Sequence, residues 1–155
     1  MTVLDIRDLS LSIGATPILK KVSLSVAPGE ILGLVGESGS GKSMTALAVL
    51  GLTPPRATMA GEIQLNGQLI SGASDAVLQK VRGRDVGIIF QEPMTALNPV
   101  MTIGDQVAET VRLHKKVSRK EALAVARAVL DRVGLPAERF PLSRYPHELS
   151  GGQRQ

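Results

Sequence analysis

The chain has no cysteine and no tryptophan, two phenylalanines and one tyrosine, and no apolar run approaching the length of a membrane span. Without cysteine there are no disulfides and no thiolate metal sites, which suits a reducing compartment. With aromatics at 2%, there is no platform on which bases could stack. The lysines and arginines are scattered, so the formal charge of +4 reads as a solvated surface or a face meeting a partner, and nucleic acid is not expected as a partner. The N-terminus carries Asp5 and Asp8 early and has no basic start before an apolar core, so no secretory leader is read there and a cytoplasmic location is expected. At 43% hydrophobic over 155 residues, there is enough apolar material for one domain with a real core.

What is present begins with Gly36-Glu37-Ser38-Gly39-Ser40-Gly41-Lys42-Ser43, which fits the phosphate-binding loop pattern of Gly, four residues, then Gly-Lys-Ser/Thr. The short apolar run Ile31–Val35 before it reads as a buried parallel strand, and Met44–Leu50 after it is rich in helix formers. In that context glycines let successive N–H groups curl around one anion at the positive end of a helix. Lys42 is the candidate charge for the outer phosphates, and the Ser43 hydroxyl is a candidate Mg²⁺ ligand. A Gly/Ser turn with an incidental lysine is the plainer alternative; the flanking strand and helix favour nucleotide.

Upstream, Val3 to Ile13 alternates in part, Gly14-Ala15-Thr16-Pro17 makes a turn, and Ile18 to Val26 places Val22, Leu24 and Val26 on one face. Gly51 and Pro54-Pro55 stop the loop helix. Gly61–Gln68 alternates and turns at Asn66-Gly67, a hairpin signal. Asp75 to Arg82 is helical in spacing, and Val86–Phe90 reads as a second buried strand, with Gln91 at its C-terminal end, where ligands collect in parallel α/β sheets. Thr102 is placed to cap a helix to about Leu113. Ser118 to Glu121 has capping-box spacing, opening a helix to Val133 whose stripe of Leu123, Val125, Ala126, Val129 and Leu130 is expected in the core. His114 with Lys115-Lys116 reads as a solvated helix end. Near the C-terminus, Leu149-Ser150-Gly151-Gly152-Gln153 reads as a second anion nest or a bare helix cap.

The loop, Gln91 after an apolar run, and Leu149–Gln153, in that order and spacing, resemble the ATP-binding cassette family, to which the Leu-Ser-Gly-Gly-Gln signature is nearly private. Phe90-Gln91-Glu92-Pro93 through Gly104, and Tyr145-Pro146-His147-Glu148, are similar to the dipeptide, oligopeptide and nickel importer group. The resemblance implies an α/β phosphate-loop cassette with an N-terminal antiparallel β segment, parallel core strands and a helical subdomain carrying the signature. One partial nucleotide-binding domain is expected, about 1–92 core and about 93–155 helical. It also implies that two cassettes, identical or sister chains, sandwich two ATP molecules. Lys42 and the loop would hold the phosphates, Ser43 and Gln91 would hold Mg²⁺, and Ser150 and Gly152 would reach the γ-phosphate bound by the partner. Transmembrane permease subunits would be driven, an extracytoplasmic solute-binding protein would act indirectly, and the subunit would lie peripherally on the inner face of the membrane.

Two departures from the family set further expectations. Ile13 stands where many cassettes place an aromatic residue against adenine, so apolar contact remains and the π-stack does not. The sequence runs out at Gln155, within the signature helix, whereas the family's catalytic acid, its Mg²⁺-supporting Asp and its switch His follow that point. Glu92 and Asp105 are poor substitutes for them. The sheet is therefore expected to be incomplete, and these residues alone are expected to bind nucleotide weakly without useful hydrolysis. A non-hydrolysing binding or docking fragment is the alternative. A small-molecule kinase is disfavoured by the signature, and a DNA-repair cassette by the lack of sustained heptads.

Overall fold

The computed structural model describes residues 2–90 and 96–155, which form two compact units, residues 1–82 and 83–155. Gln91 lies outside the described residues.

In the first unit, strands β1 (Leu4–Ile13), β2 (Thr16–Val26), β3 (Ala57–Leu65) and β4 (Gln68–Leu69) make one antiparallel sheet in the order β2-β1-β3-β4. The partial alternation of the sequence has a physical cause. Asp8, Lys21 and Gly61 all take positive φ, and each strand bulges at that level, so the buried positions change phase from Ile6 to Leu9 in β1. Hydroxyls accept from the backbone N–H groups displaced there: Asp8 N–H donates to Ser23 Oγ at 2.8 Å and Lys21 N–H to Ser10 Oγ at 3.0 Å. Gly61 is obligatory at this level, because a Cβ would lie 2.6 Å from the carbonyl oxygens of Arg7 and Asp8. The hairpin at Asn66-Gly67 forms as expected, with both residues at positive φ. Ile6, Leu9, Leu11 and Ile63 are the most deeply buried large side chains.

Helix α1 (Lys42–Val49) follows the phosphate loop, and α2 (Asp75–Val81) follows β4. The end of α1 is a Schellman motif: Gly51 N–H reaches Ala48 O and Leu52 N–H reaches Leu47 O. Arg82 satisfies the carbonyls left over, donating Nε to Leu50 O and Nη2 to Gly51 O while pairing with Asp75.

The sheet is open, and here the structure corrects two expectations. The runs 31–35 and 86–90 form no strand ladder among the described residues, and both are exposed: Ile31 by 97%, Val35 by 94% and Ile89 by 92%. Apolar composition permits a buried strand, but only a neighbouring strand satisfies its N–H and C=O groups. No described strand lies beside either run.

The second unit is helical. α3 (Ile103–His114) is capped by Thr102, whose hydroxyl accepts from Asp105 N–H, and α4 (Arg119–Arg132) opens with the capping box of Ser118 and Glu121. The two helices meet along a seam of Ala108, Ala122 and Ala126. This seam corrects the expected stripe of α4. Leu130 and Ala126 are buried, Leu123 is half-buried, and Val125 and Val129 are exposed, because the small side chains at i, i+4 let the backbones approach. Gly134 ends α4 in a second Schellman motif that turns Leu135 inward to join Ile103, Leu130, Phe140 and Leu149. Arg127 then fastens the loop by donating to the carbonyls of Leu135 and Phe140. Buried Gly104 allows residues 142–144 to close over the start of α3, where a Cβ would lie 2.6 Å from Leu142 Cβ. A 3₁₀ turn (Pro146–Glu148) leads to α5 (Gly151–Arg154).

Candidate nucleotide site

The loop from Gly36 to Ser43 folds back on its own lysine. Lys42 Nζ donates to Gly36 O and Glu37 O, both at 2.7 Å, and to Ser40 Oγ at 3.3 Å. An ammonium group is thus held within the curve of the loop, where an anion's outer oxygens would meet it. Gly39 and Gly41 take φ of 81° and 91°, values that L side chains avoid. At Gly36 a Cβ would meet Ser40 Oγ at 2.7 Å, and at Gly41 it would meet Leu19 Cδ2 at 2.5 Å. The glycines therefore serve both the curl and the close approach of the loop to β2. Thr45 steadies the first turn of α1, its N–H and hydroxyl both donating to Gly41 O. With Gly41 as cap, the N-terminal amides of α1 open onto the loop.

Gly39 to Met44 and Ile18 line one cavity of about 220 Å³. Glu37 and Ser38 are exposed at the crest of the loop. The hydroxyl of Ser43 is exposed at the second position of α1, and among the described residues it has no hydrogen-bond partner, so it fits the role of a single oxygen ligand to a cation. Among the described residues there is no group of three or more acidic or histidine side chains able to hold a metal by itself. Ile13 is half-buried at the end of β1, paired with Thr16 and Ala57, and does not line this cavity. Ile18 and Met44 do, and the reading of the sequence had missed both. Ile18 stands just before Leu19, the buried residue of β2 that meets Gly41, and that adjacency is the signal that points to it.

In the second unit the signature is built as a peg and a tip. Leu149 is buried in the core, which holds Ser150, Gly151 and Gly152 at the surface. Gln153 Oε1 accepts the N–H of Ser150 at 2.9 Å, and Arg154 Nε donates to Leu149 O at 3.1 Å. Ser150 has the extended backbone of a helix cap, as its sequence position implies. The rings of Tyr145 and His147 stack just before it, with centroids 5.6 Å apart.

Comparison with known proteins matches residues 19–155 to the ABC transporter family model. A glutathione import ATP-binding protein of Salmonella choleraesuis (strain SC-B67) is 52% identical over 144 residues, covering 88% of this chain and 23% of that one. A putative peptide import ATP-binding protein of Brucella abortus (strain 2308) is 48% identical over 141 residues, covering 86% of this chain and 42% of that one. Among solved structures, a dimeric ATP-binding cassette in a post-hydrolysis state, bound to ADP and Pi, superposes with a TM-score of 0.81 at 27% identity, over 97% of this chain and 65% of the other. The chain thus spans less than half the length of these two relatives and about two thirds of that cassette.

Proposed function

The chain belongs to the ABC transporter family, and from that premise we propose that it forms the nucleotide-binding part of an ATP-binding subunit energising a bacterial-type importer of peptides or similar solutes. The observation that carries the reading is the curled loop with Lys42 Nζ inside it. Amides at the start of α1 and the Lys42 charge would hold the β- and γ-phosphates of ATP. Ser43, with Gln91, would ligate Mg²⁺, which when bound neutralises phosphate charge. Ser150 and Gly152 would face the γ-phosphate of an ATP held by a second cassette, so that loss of that phosphate lets the pair open. That opening would drive transmembrane permease subunits, with the segment after Gln91 as the docking surface and an extracytoplasmic solute-binding protein acting indirectly. The subunit would then sit peripherally on the inner face of the cell membrane. Among the described residues no helix is long and apolar enough to cross a membrane. The domain would divide near residue 92 into a core and a helical subdomain.

A second reading, favoured by the exposed runs 31–35 and 87–90, beside which no described strand lies, is that these residues by themselves bind nucleotide without hydrolysing it. Positioning of the attacking water would then fall to groups other than those on this chain.

Titration of a fluorescent ATP analogue tests the site. Lys42→Ala is expected to weaken binding about 10- to 100-fold, the effect of one charge-assisted contact to phosphate. Equal affinity in the variant would sink the loop assignment. Lys42-dependent ATP turnover by the purified chain would remove the second reading.

A further inference from the structure

The far end of α3 carries charge that the fold does not use. A hollow of about 600 Å³ opens there, between Glu109 and Val117. Arg112, Lys115 and Lys116 stand on it as exposed cations, with Glu109 as the one acid of its lining. Among the described residues none of these three cations forms an ion pair. Their charged neighbours are committed elsewhere: Arg119 pairs with Asp105 at 2.8 Å, and Glu121 accepts from the Ser118 hydroxyl at 2.7 Å. Cations are ordinary at the end of a helix, where they meet the carbonyl end of its dipole. That accounts for Arg112, His114 and Lys115, but not for Lys116, which lies beyond the helix, nor for Leu113. Leu113 is 74% exposed and belongs to neither apolar cluster of this unit. The corner is also fixed in place. His114 lies over Gly83, where a Cβ would come within 3.0 Å of its Nε2, and Val117 packs against the alanine seam.

From this corner we infer that the turn between α3 and α4 is a contact for the headgroup layer of an anionic lipid membrane. Leu113 enters the layer, and Arg112, Lys115 and Lys116 meet its phosphates. A membrane surface is the complement of such a patch, with negative charge outermost and hydrocarbon just beneath. An exposed leucine ringed by cations matches that order. The aliphatic stems of the cations lie along the acyl boundary while their charged ends stay among the headgroups. A soluble polyanion such as nucleic acid satisfies the cations but offers Leu113 nothing, and no aromatic side chain other than His114 lines the hollow as a stacking platform. Each basic residue near an anionic surface strengthens binding about fivefold, and the attraction falls off within a Debye length of about 8 Å. Three cations and one leucine therefore make a weak, reversible contact that orients a subunit held mainly by other means. The inference makes no use of the nucleotide site. It gives the proposed place on the inner face of the membrane a contact of its own.

The test is co-sedimentation of the chain with vesicles of phosphatidylcholine alone and of phosphatidylcholine mixed with phosphatidylglycerol. Binding is expected to the mixed vesicles and should fade as salt is raised. Lys115→Glu combined with Lys116→Glu should weaken it about 25-fold or more, and the milder Lys116→Gln about fivefold. Leu113→Ser should weaken it about fivefold through the apolar contact it removes. The same double charge reversal at Lys20 and Lys80, exposed cations of β2 and α2, controls for net charge and should cost no more than about threefold. Equal binding to the two kinds of vesicle would overturn the inference, as would a Lys20 and Lys80 effect as large as that of Lys115 and Lys116. So would Leu113→Ser binding like the native chain, because that is how a patch for an acidic protein face or a nucleic acid behaves. The Lys115 and Lys116 double variant should bind a fluorescent ATP analogue as the native chain does, which shows that it is folded. An analogue that fails to bind the native chain would sink the nucleotide reading and leave the vesicle result to decide this one.

Discussion

Residues 1–82 are organised by a long-range strand ladder, residues 83–155 by local caps and turns around a core that joins distant side chains. In the first unit Leu4 pairs with Leu65 and Ile13 with Ala57, so the β1–β3 ladder closes a loop of tens of residues, and the β1–β2 and β3–β4 hairpins flank it. In the second, Thr102 caps through Asp105, Ser118 through Glu121, and Gly134 turns Leu135 back against the end of α4. The candidate motifs follow the same division. The phosphate loop depends on Leu19 of β2, while the signature tip adds a local bond, Arg154 Nε to Leu149 O, to a Leu149 that is buried with Ile103, Leu130 and Phe140. The lesson is that an anion-binding curl can rest on either kind of support, and its sensitivity to distant substitutions differs accordingly.

The largest break in that comparison is expected at Gly61. Gly61→Ala would put a Cβ against two backbone carbonyls at a φ of 96°, and neither carbonyl can move without opening the β1–β3 ladder. A loss of about 3 kcal/mol is expected, at the upper end for backbone strain. Hydrogen exchange should show it across β1 and β3 with α3 and α4 unaffected. Equal loss of protection in both units would mean that they unfold as one, which would blur the contrast.

Within the second unit, Arg127→Met removes the donors to Leu135 O and Phe140 O and keeps most of the aliphatic bulk. The expected loss is about 2 kcal/mol, from carbonyls that the side chain no longer serves. Urea unfolding should record it, and exchange should localise it to residues 133–142. Protection lost instead from the strands would show that the second unit is not locally held.

The smallest effects are at the caps. Thr102→Ala should lower stability by about 1 kcal/mol through the lost acceptor for Asp105 N–H. It should also change the acid response. The Arg119 guanidinium, and then the Thr102 hydroxyl, hold the Asp105 carboxyl below its ordinary 3.8. A carboxyl lowered in the folded state contributes stability above its unfolded value, and that contribution fades as pH falls through the folded value. Both chains should begin to lose this contribution below about pH 4, where the unfolded carboxyl titrates, and Thr102→Ala should lose less in total and finish losing it at a higher pH. Identical acid profiles for the two would remove Thr102 from this account.

Much of the second unit was legible because its signals are local. Thr102, Ser118 and Gly134 act within a few residues of themselves, and each element boundary they imply lies within about a residue of the one observed. The apolar stripe of α4 was read less well. Spacing alone does not say that Ala122 and Ala126 face α3 while Val125 and Val129 face away. In the first unit the loop's glycines and lysine were legible for the same local reason, and so was the Asn66-Gly67 hairpin. The common level at which β1, β2 and β3 bulge was not, because Asp8 and Lys21 carry no marker of positive φ comparable to the glycine at 61.

By itself the sequence determined where the chain turns, caps and curls: the left-handed glycines of the phosphate loop, the Schellman glycines, the capping hydroxyls and the signature. These are short-range consequences of sterics and hydrogen bonding, and they need no distant partner. The tertiary structure alone decided which apolar runs become strands and which side chains stand beside the loop. Ile31–Val35 is as apolar as any core strand, yet stays exposed, with no strand beside it among the described residues. Ile18 rather than Ile13 meets the cavity, because β2 is the strand that packs against Gly41. Ladder pairing and side-chain proximity are properties of two segments at once, and neither segment's sequence contains the other.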